Sequence, residues 1–139
     1  MKTHTTLGRD TIENAQQRVG MHSPLLETAK EIALSHHEKW DGSGYPQGLA
    51  GEAIPLSARL MAAADVYDAL VSRRVYKKPL PHAEAIGIIV DAATKHFDPD
   101  VVDALVAVAA EFELIAARHC DQDSELEALA ERARSSVNA

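Results

Sequence analysis

Apolar residues recur at helical spacing along most of the chain, and short segments rich in glycine and proline separate these stretches. An α-helix places residues three and four apart on one face, so this spacing predicts amphipathic helices. No stretch of useful length alternates between apolar and polar residues as a half-buried strand would. The pattern therefore predicts an all-α bundle of five to six helices.

Residues with specific backbone preferences mark the predicted helix ends. Thr5 or Thr6 could cap the first helix, and Gly20 suits the position after its end at about Val19. The pairs Ser23-Pro24 and Asp98-Pro99 each combine a capping side chain with a proline suited to the first turn. The later predicted helices span about 24–36, 55–72, 82–95, 99–119 and 124–135.

The helical spacing also predicts which side chains face inward. In the first helix these are Ile12 and Ala15. The stripes of the second and third helices are Leu25, Leu26, Ala29, Ile32, Ala33 and His36, then Leu56, Leu60, Ala63, Ala64, Tyr67 and Leu70. Residues 41–55 lie between these helices and hold four glycines, which predicts an ordered loop.

Composition and charge limit the classes of function. The chain has 139 residues, no apolar run near the length of about 20 residues that spans a bilayer, and no signal-peptide pattern. One cysteine excludes an internal disulfide and fits a cytoplasmic protein. The net charge of −7 arises entirely after residue 97, which argues against DNA binding by that part of the chain. We expect neither DNA nor a membrane as a partner.

Two pairs of side chains could carry chemistry. His36 and His37 are adjacent, and neighbours on a helix point about 100° apart, so they would serve different ions or divide metal and substrate contacts. A buried, hydrogen-bonded His36 beside an exposed His37 is the alternative. Asp65 and Asp68 share one face of an apolar helix, where a carboxylate needs a metal or an arginine partner. The arginine alternatives are Arg59, Arg73 and Arg74.

A basic cluster, Arg73, Arg74, Lys77 and Lys78, follows the aspartate helix directly. Guanidinium groups suit phosphate oxygens because they donate two parallel hydrogen bonds. Four cations at this place could equally be a solvated helix end, where the helix dipole favours positive charge. The cluster alone leaves both interpretations open.

Taken together, these motifs resemble the HD-GYP family of cyclic di-GMP phosphodiesterases, a branch of the HD metal-dependent phosphohydrolases. The resemblance covers roughly residues 1–106 and is most specific in the run HHEKWDGSGYPQGLAGEAIPLSARLMAAADVYDAL. The segments MKTHT, SRRVYK and HFDPDVVDAL match as well. The match is similar to the output domains of two-component response regulators. It assigns residues 1–119 to the C-terminal part of an HD-GYP domain and residues 120–139 to a C-terminal helical extension.

The resemblance implies an HD-type helical fold with two or three divalent ions, iron or manganese. The implied metal ligands are His4, His36, His37 and Asp65, and Asp68 matches a position beside them. Asp65 and Asp68 would thus be the catalytic carboxylates. The implied substrate-binding residues are Gly44, Tyr45, Pro46, Arg74 and Lys77. The implied reaction is hydrolysis of cyclic di-GMP.

The sequence departs from this family in one respect, because no His-Asp dipeptide occurs in it. We therefore expect the HD half of the site to be missing and the chain to be inactive alone. It would then need an upstream HD half or receiver domain, or it would form a homodimer that buries an exposed apolar face. The alternative function is a non-catalytic module that binds cyclic di-GMP or a protein partner.

Overall fold

The computed structural model describes residues 3–72 and 78–119. These ranges are helical and contain no strand, only an isolated bridge between Ala93 and Phe97. The helices are α1 (Thr3–Val19), α2 (Pro24–Ser35), α3 (Leu56–Val71), α4 (His82–Asp91) and α5 (Pro99–Ala107), with a 3-10 turn at Gly51–Ala53 and further helix over residues 109–119. The predicted all-α class is confirmed.

Most of the predicted start and stop signals act as expected. Gly20 follows α1 with a φ of 65°, a conformation that side chains disfavour. Ser23 caps α2 by accepting a hydrogen bond from the Leu26 N–H, and Asp98 caps α5 by accepting one from the Asp100 N–H. Each of these helix-end signals acts on residues only a few positions away, which is why the sequence alone predicts them.

Three predicted boundaries were wrong. Helix α1 begins at Thr3, so Thr5 is a buried helical residue instead of a cap. Helix α4 ends at Asp91, about four residues early, because the next segment turns through Thr94 at a φ of 67°. Helix α5 is interrupted at Val108 before residues 109–119 continue as helix.

The hydrophobic core lies between α3, α4 and α5, which pack against one another. Its members are Ala62, Ala63, Tyr67, Ala85, Ile89, Phe97, Val101, Val102 and Leu105. Alanines on α3 allow the neighbouring helices to approach closely, and larger apolar side chains come from all three helices and from Phe97, which precedes α5.

The predicted inner stripes were partly wrong. On α3, Ala63 and Tyr67 are buried, but Leu56 and Leu60 are 56% and 50% exposed. Leu25 of α2 is 77% exposed, and Ala15 of α1 is also exposed. Periodicity identifies an apolar face, but it does not identify the neighbour that covers it. None of the described helices is long and apolar enough to cross a membrane.

Some predictions concern residues beyond those described. They include Arg73, Arg74 and Lys77 of the basic cluster, the helix predicted for 124–135, and the proposed extension 120–139.

Candidate metal centre

Three histidines from two helices meet at one point. His4 lies in the first turn of α1, His36 caps the end of α2, and His37 follows it. One ring nitrogen from each lies within 4.8 Å of the others. His36 and His37 are half-buried, whereas His4 is exposed. Three convergent imidazoles are a donor set suited to a first-row divalent ion, so the residues present fit such a metal.

The expectation that His36 and His37 point too far apart to share an ion was wrong. That expectation assumed a helix through both residues, but α2 ends at Ser35 and the chain then turns. The two rings are 4.1 Å apart between centroids, and the His4 ring lies 5.0 Å from that of His37. The early helix end therefore permits chelation of one ion.

Hydrogen bonding and burial prepare two of the rings for a metal. Nδ1 of His36 lies 2.7 Å from the Ile32 carbonyl oxygen, which can only accept, so Nδ1 carries the hydrogen and Nε2 keeps its lone pair. Burial lowers the pKa of His37, electrostatic interaction with His36 and His4 lowers it further, and the Asp65 carboxylate opposes these effects. The neutral imidazole favoured by this shift is the form that binds metals.

The aspartates of α3 are placed differently from the expectation of an apolar environment. Asp65 and Asp68 are both exposed. Asp65 is not in the group of three histidines, although its charge acts on His37. Asp68 accepts a hydrogen bond of 3.0 Å from the Ser72 hydroxyl. Arg59, an alternative partner for them, instead pairs with Asp98 at 2.6 Å.

The loop after the histidines packs directly on them. The Tyr45 ring stacks on the His37 ring at 5.0 Å and 27°, and the Tyr45 N–H donates to the His37 carbonyl oxygen at 3.2 Å. The peptide bond between Tyr45 and Pro46 is cis. A Cβ at Gly44 would lie 2.5 Å from the Glu38 Cα, so only glycine fits there. The loop thus places an aromatic ring at the edge of the histidine cluster.

Sequence reasoning missed Glu38, which is charged, only 2% exposed and bonded to the loop backbone. It also missed the pairing of Arg59 with Asp98, which links α3 to the start of α5. The available signal for Glu38 was its place between the histidines and a glycine-rich loop whose amides need acceptors. Of the predicted phosphate-binding cations, Arg74 and Lys77 are not among the described residues.

Comparison with known proteins gives a consistent result. The family model for an HD domain matches residues 1–101. A probable cyclic di-GMP phosphodiesterase of Vibrio cholerae is 53% identical over 124 residues, which are 89% of this chain and 28% of that protein. A cyclic di-GMP phosphodiesterase response regulator of Xanthomonas campestris is 44% identical over 83% of this chain and 29% of that protein.

A solved structure of similar fold is a cyclic GMP-AMP specific phosphodiesterase of V. cholerae. It aligns with a TM-score of 0.60 at 26% identity and covers 78% of this chain and 23% of that one. The chain therefore spans less than a third of the length of these relatives.

Proposed function

This chain belongs to the HD domain family, and we propose that it forms part of an HD-GYP phosphodiesterase that hydrolyses cyclic di-GMP with the help of divalent metal ions. The observation that carries the proposal is the convergence of His4, His36 and His37 beside the Gly44–Pro46 loop. The expected membership of a hydrolase family is confirmed by the HD match and by relatives named as phosphodiesterases. The 53% identity to a relative named for cyclic di-GMP supports that nucleotide over cyclic GMP-AMP.

In the proposed site, the three histidines hold a divalent ion, iron or manganese. When bound, such an ion lowers the pKa of water and neutralises charge on the phosphodiester. His36 offers Nε2 because its Nδ1 is engaged with Ile32, and burial keeps His37 neutral. We propose that Asp65, whose charge reaches His37, completes the ligand set and that Asp68 orients it.

A site of two or three ions needs more ligands than three imidazoles and one carboxylate. We propose that the additional ligands come from an HD half on another segment or, alternatively, from side chains of a second copy of the chain. Arg74 and Lys77 would bind the phosphates, and Tyr45 would face a guanine base. The response-regulator relative supports a role in two-component signalling.

The test is to incubate the purified chain with cyclic di-GMP and Mn²⁺ or Fe²⁺ and to separate the products by chromatography. We expect hydrolysis to a linear dinucleotide or GMP when the HD half is supplied in trans. His37→Ala should lower the rate at least about 100-fold, because it removes a ligand. His22→Ala changes an exposed histidine between α1 and α2 and should leave the rate unchanged.

Equal rates for wild type and His37→Ala would contradict the proposal. A module that binds without turnover is the second candidate, and the small number of ligands among the described residues favours it. Calorimetry separates the two: tight binding of cyclic di-GMP, with no product in the presence of metal and the HD half, identifies the binding module.

A further inference from the structure

Glu38 is a charged side chain in an almost closed environment. It is 2% exposed and ranks with Ile89 and Thr5 among the largest fully buried side chains of the described residues. A buried carboxylate is costly unless hydrogen bonds satisfy it. Glu38 directly follows His37, so the hydrogen bonds that satisfy its carboxylate bear on the histidine cluster.

Two backbone amides of the loop satisfy Glu38. The Gln47 N–H donates to Oε1 at 2.7 Å, and the Leu49 N–H donates to Oε2 at 3.1 Å. Hydrogen bonds to an ionised acceptor are stronger than neutral ones. Only a carboxylate offers two acceptor oxygens here, since a glutamine would turn an NH2 group towards one of these donors.

The other end of the loop rests on the same two residues. The Tyr45 N–H donates to the His37 carbonyl, and the missing Cβ of Gly44 lets its backbone lie against Glu38. The loop is thus attached before and after the Tyr45-Pro46 bond to residues 37 and 38. Tyr45, whose ring stacks on His37, lies between these attachments.

We propose that Glu38 is a positioning residue that holds the Gly44–Leu49 loop and the Tyr45 ring against the histidine cluster. Both oxygens of the Glu38 carboxylate accept hydrogen bonds from loop amides. It acts through the loop backbone, and its consequence for nucleotide binding rests on the function proposed above.

Hydrogen exchange measured by NMR on the metal-free chain tests the attachment itself. Glu38→Gln and Glu38→Ala should accelerate exchange of the Gln47 and Leu49 amides about 10-fold or more. The α5 amides of Val102, which donates to the Asp98 carbonyl oxygen, and of the buried Leu105 should keep their protection. Glu52→Gln makes the same chemical change at an exposed glutamate. It should change the exchange rates of neither the loop amides nor the α5 amides.

A second readout follows the aromatic ring. The Tyr45 ring signals, assigned with Tyr45→Phe, should lose the shift caused by the His37 ring in both Glu38 variants. The affinity for cyclic di-GMP, measured by calorimetry with Mn²⁺ present, should fall about 10-fold, since an unfixed loop must be ordered on binding.

The outcomes separate the two proposals. Unchanged protection of Gln47 and Leu49 in Glu38→Gln, or equal acceleration throughout α5, overturns the positioning role. If the wild-type chain binds no cyclic di-GMP even with the HD half supplied, the proposed function fails, while local exchange together with the Tyr45 shift still establishes that Glu38 holds the loop.

Discussion

The α1–α2 hairpin and the α3–α5 bundle bury different kinds of side chain. The buried residues of the hairpin helices are Thr5, Gln16 and Ser35, all polar. The bundle buries alanines, valines and larger apolar residues from all three of its helices. Side chains such as Leu25 and Leu7, which could have formed an apolar core for the hairpin, are 77% and 62% exposed.

This difference matters because the hairpin carries the histidines. Polar contacts link α1 to α2: Lys30 of α2 pairs with Glu13 of α1 at 2.6 Å, and the Gln16 side-chain amide of α1 donates to the Glu27 carboxylate of α2 at 3.1 Å. The bundle instead carries Asp65 on α3, and the segment between α4 and α5 accepts hydrogen bonds from the loop amides of Trp40 and Asp41. We expect substitutions in the bundle to affect stability most, and substitutions in the hairpin to affect the site more than the fold. The homodimer stays a prediction. The exposed leucines are the surface through which we would expect it to form.

The largest loss is expected at the buried ion pair within the bundle. Asp98 is 4% exposed, bonds Arg59 at 2.6 Å and caps α5. Asp98→Ala removes the buried carboxylate partner of the Arg59 guanidinium, whose side chain is 17% exposed, and should lower the free energy of unfolding by about 3 kcal/mol or more in urea denaturation. Asp100→Ala, at an exposed aspartate two residues away, is the control. A loss below about 1 kcal/mol for Asp98→Ala would contradict the importance of this pair.

The next largest loss is expected in the apolar core. Ile89 is fully buried, and Ile89→Ala should cost about 3 kcal/mol through lost burial and the remaining cavity. Ile88→Ala makes the same change at a neighbour that is 41% exposed and should cost much less. Chemical denaturation of both variants measures the difference. Similar losses would mean that the bundle is not the main source of stability.

A substitution in the loop between the two regions should cause an intermediate loss of stability. Gly44→Ala places a Cβ against the Glu38 backbone, so the loop must shift, at a cost of about 2 kcal/mol. Gly87→Ala in α4 meets no atom within 4 Å and should stabilise the protein by about 0.5 kcal/mol. Thermal unfolding should show a lower Tm for Gly44→Ala and a slightly higher Tm for Gly87→Ala. A Gly44→Ala variant as stable as wild type would show that the loop adapts without cost.

The smallest effect is expected in the hairpin. Lys30→Met removes the ion pairs with Glu13 and Glu27 and should lower the Tm at pH 7 by no more than about 3 °C. Hydrogen bonds from Lys30 hold the pKa values of both glutamates below their ordinary value of 4.5. Their contribution is present above that value and is lost as the pH falls through the lowered pKa. The Tm difference between variant and wild type should therefore vanish at strongly acidic pH. A Tm difference that does not change with pH would mean that Lys30 stabilises the protein through packing and not through its ion pairs.

Local signals were readable in advance, whereas contacts between distant segments were not. The caps at Ser23 and Asp98 were predicted because each side chain bonds an amide only two or three residues away. The exposure of Leu56 and Leu60 was not predicted, because a helical stripe does not reveal its neighbour. The role of Glu38 was missed because its donors lie nine and eleven residues further along, in a loop with no regular pattern.

By itself the sequence determined the all-α class, most helix starts, and the histidine, aspartate and Gly-Tyr-Pro motifs that indicated a phosphohydrolase family. These depend on short-range backbone preferences and on residue identity, both of which are written in consecutive letters. Only the tertiary structure decided that His4 meets His36 and His37, because their meeting depends on how α1 packs against α2 and on where α2 ends. It also decided that Asp65 stands outside this group of three, since side-chain placement follows from the packing of whole helices.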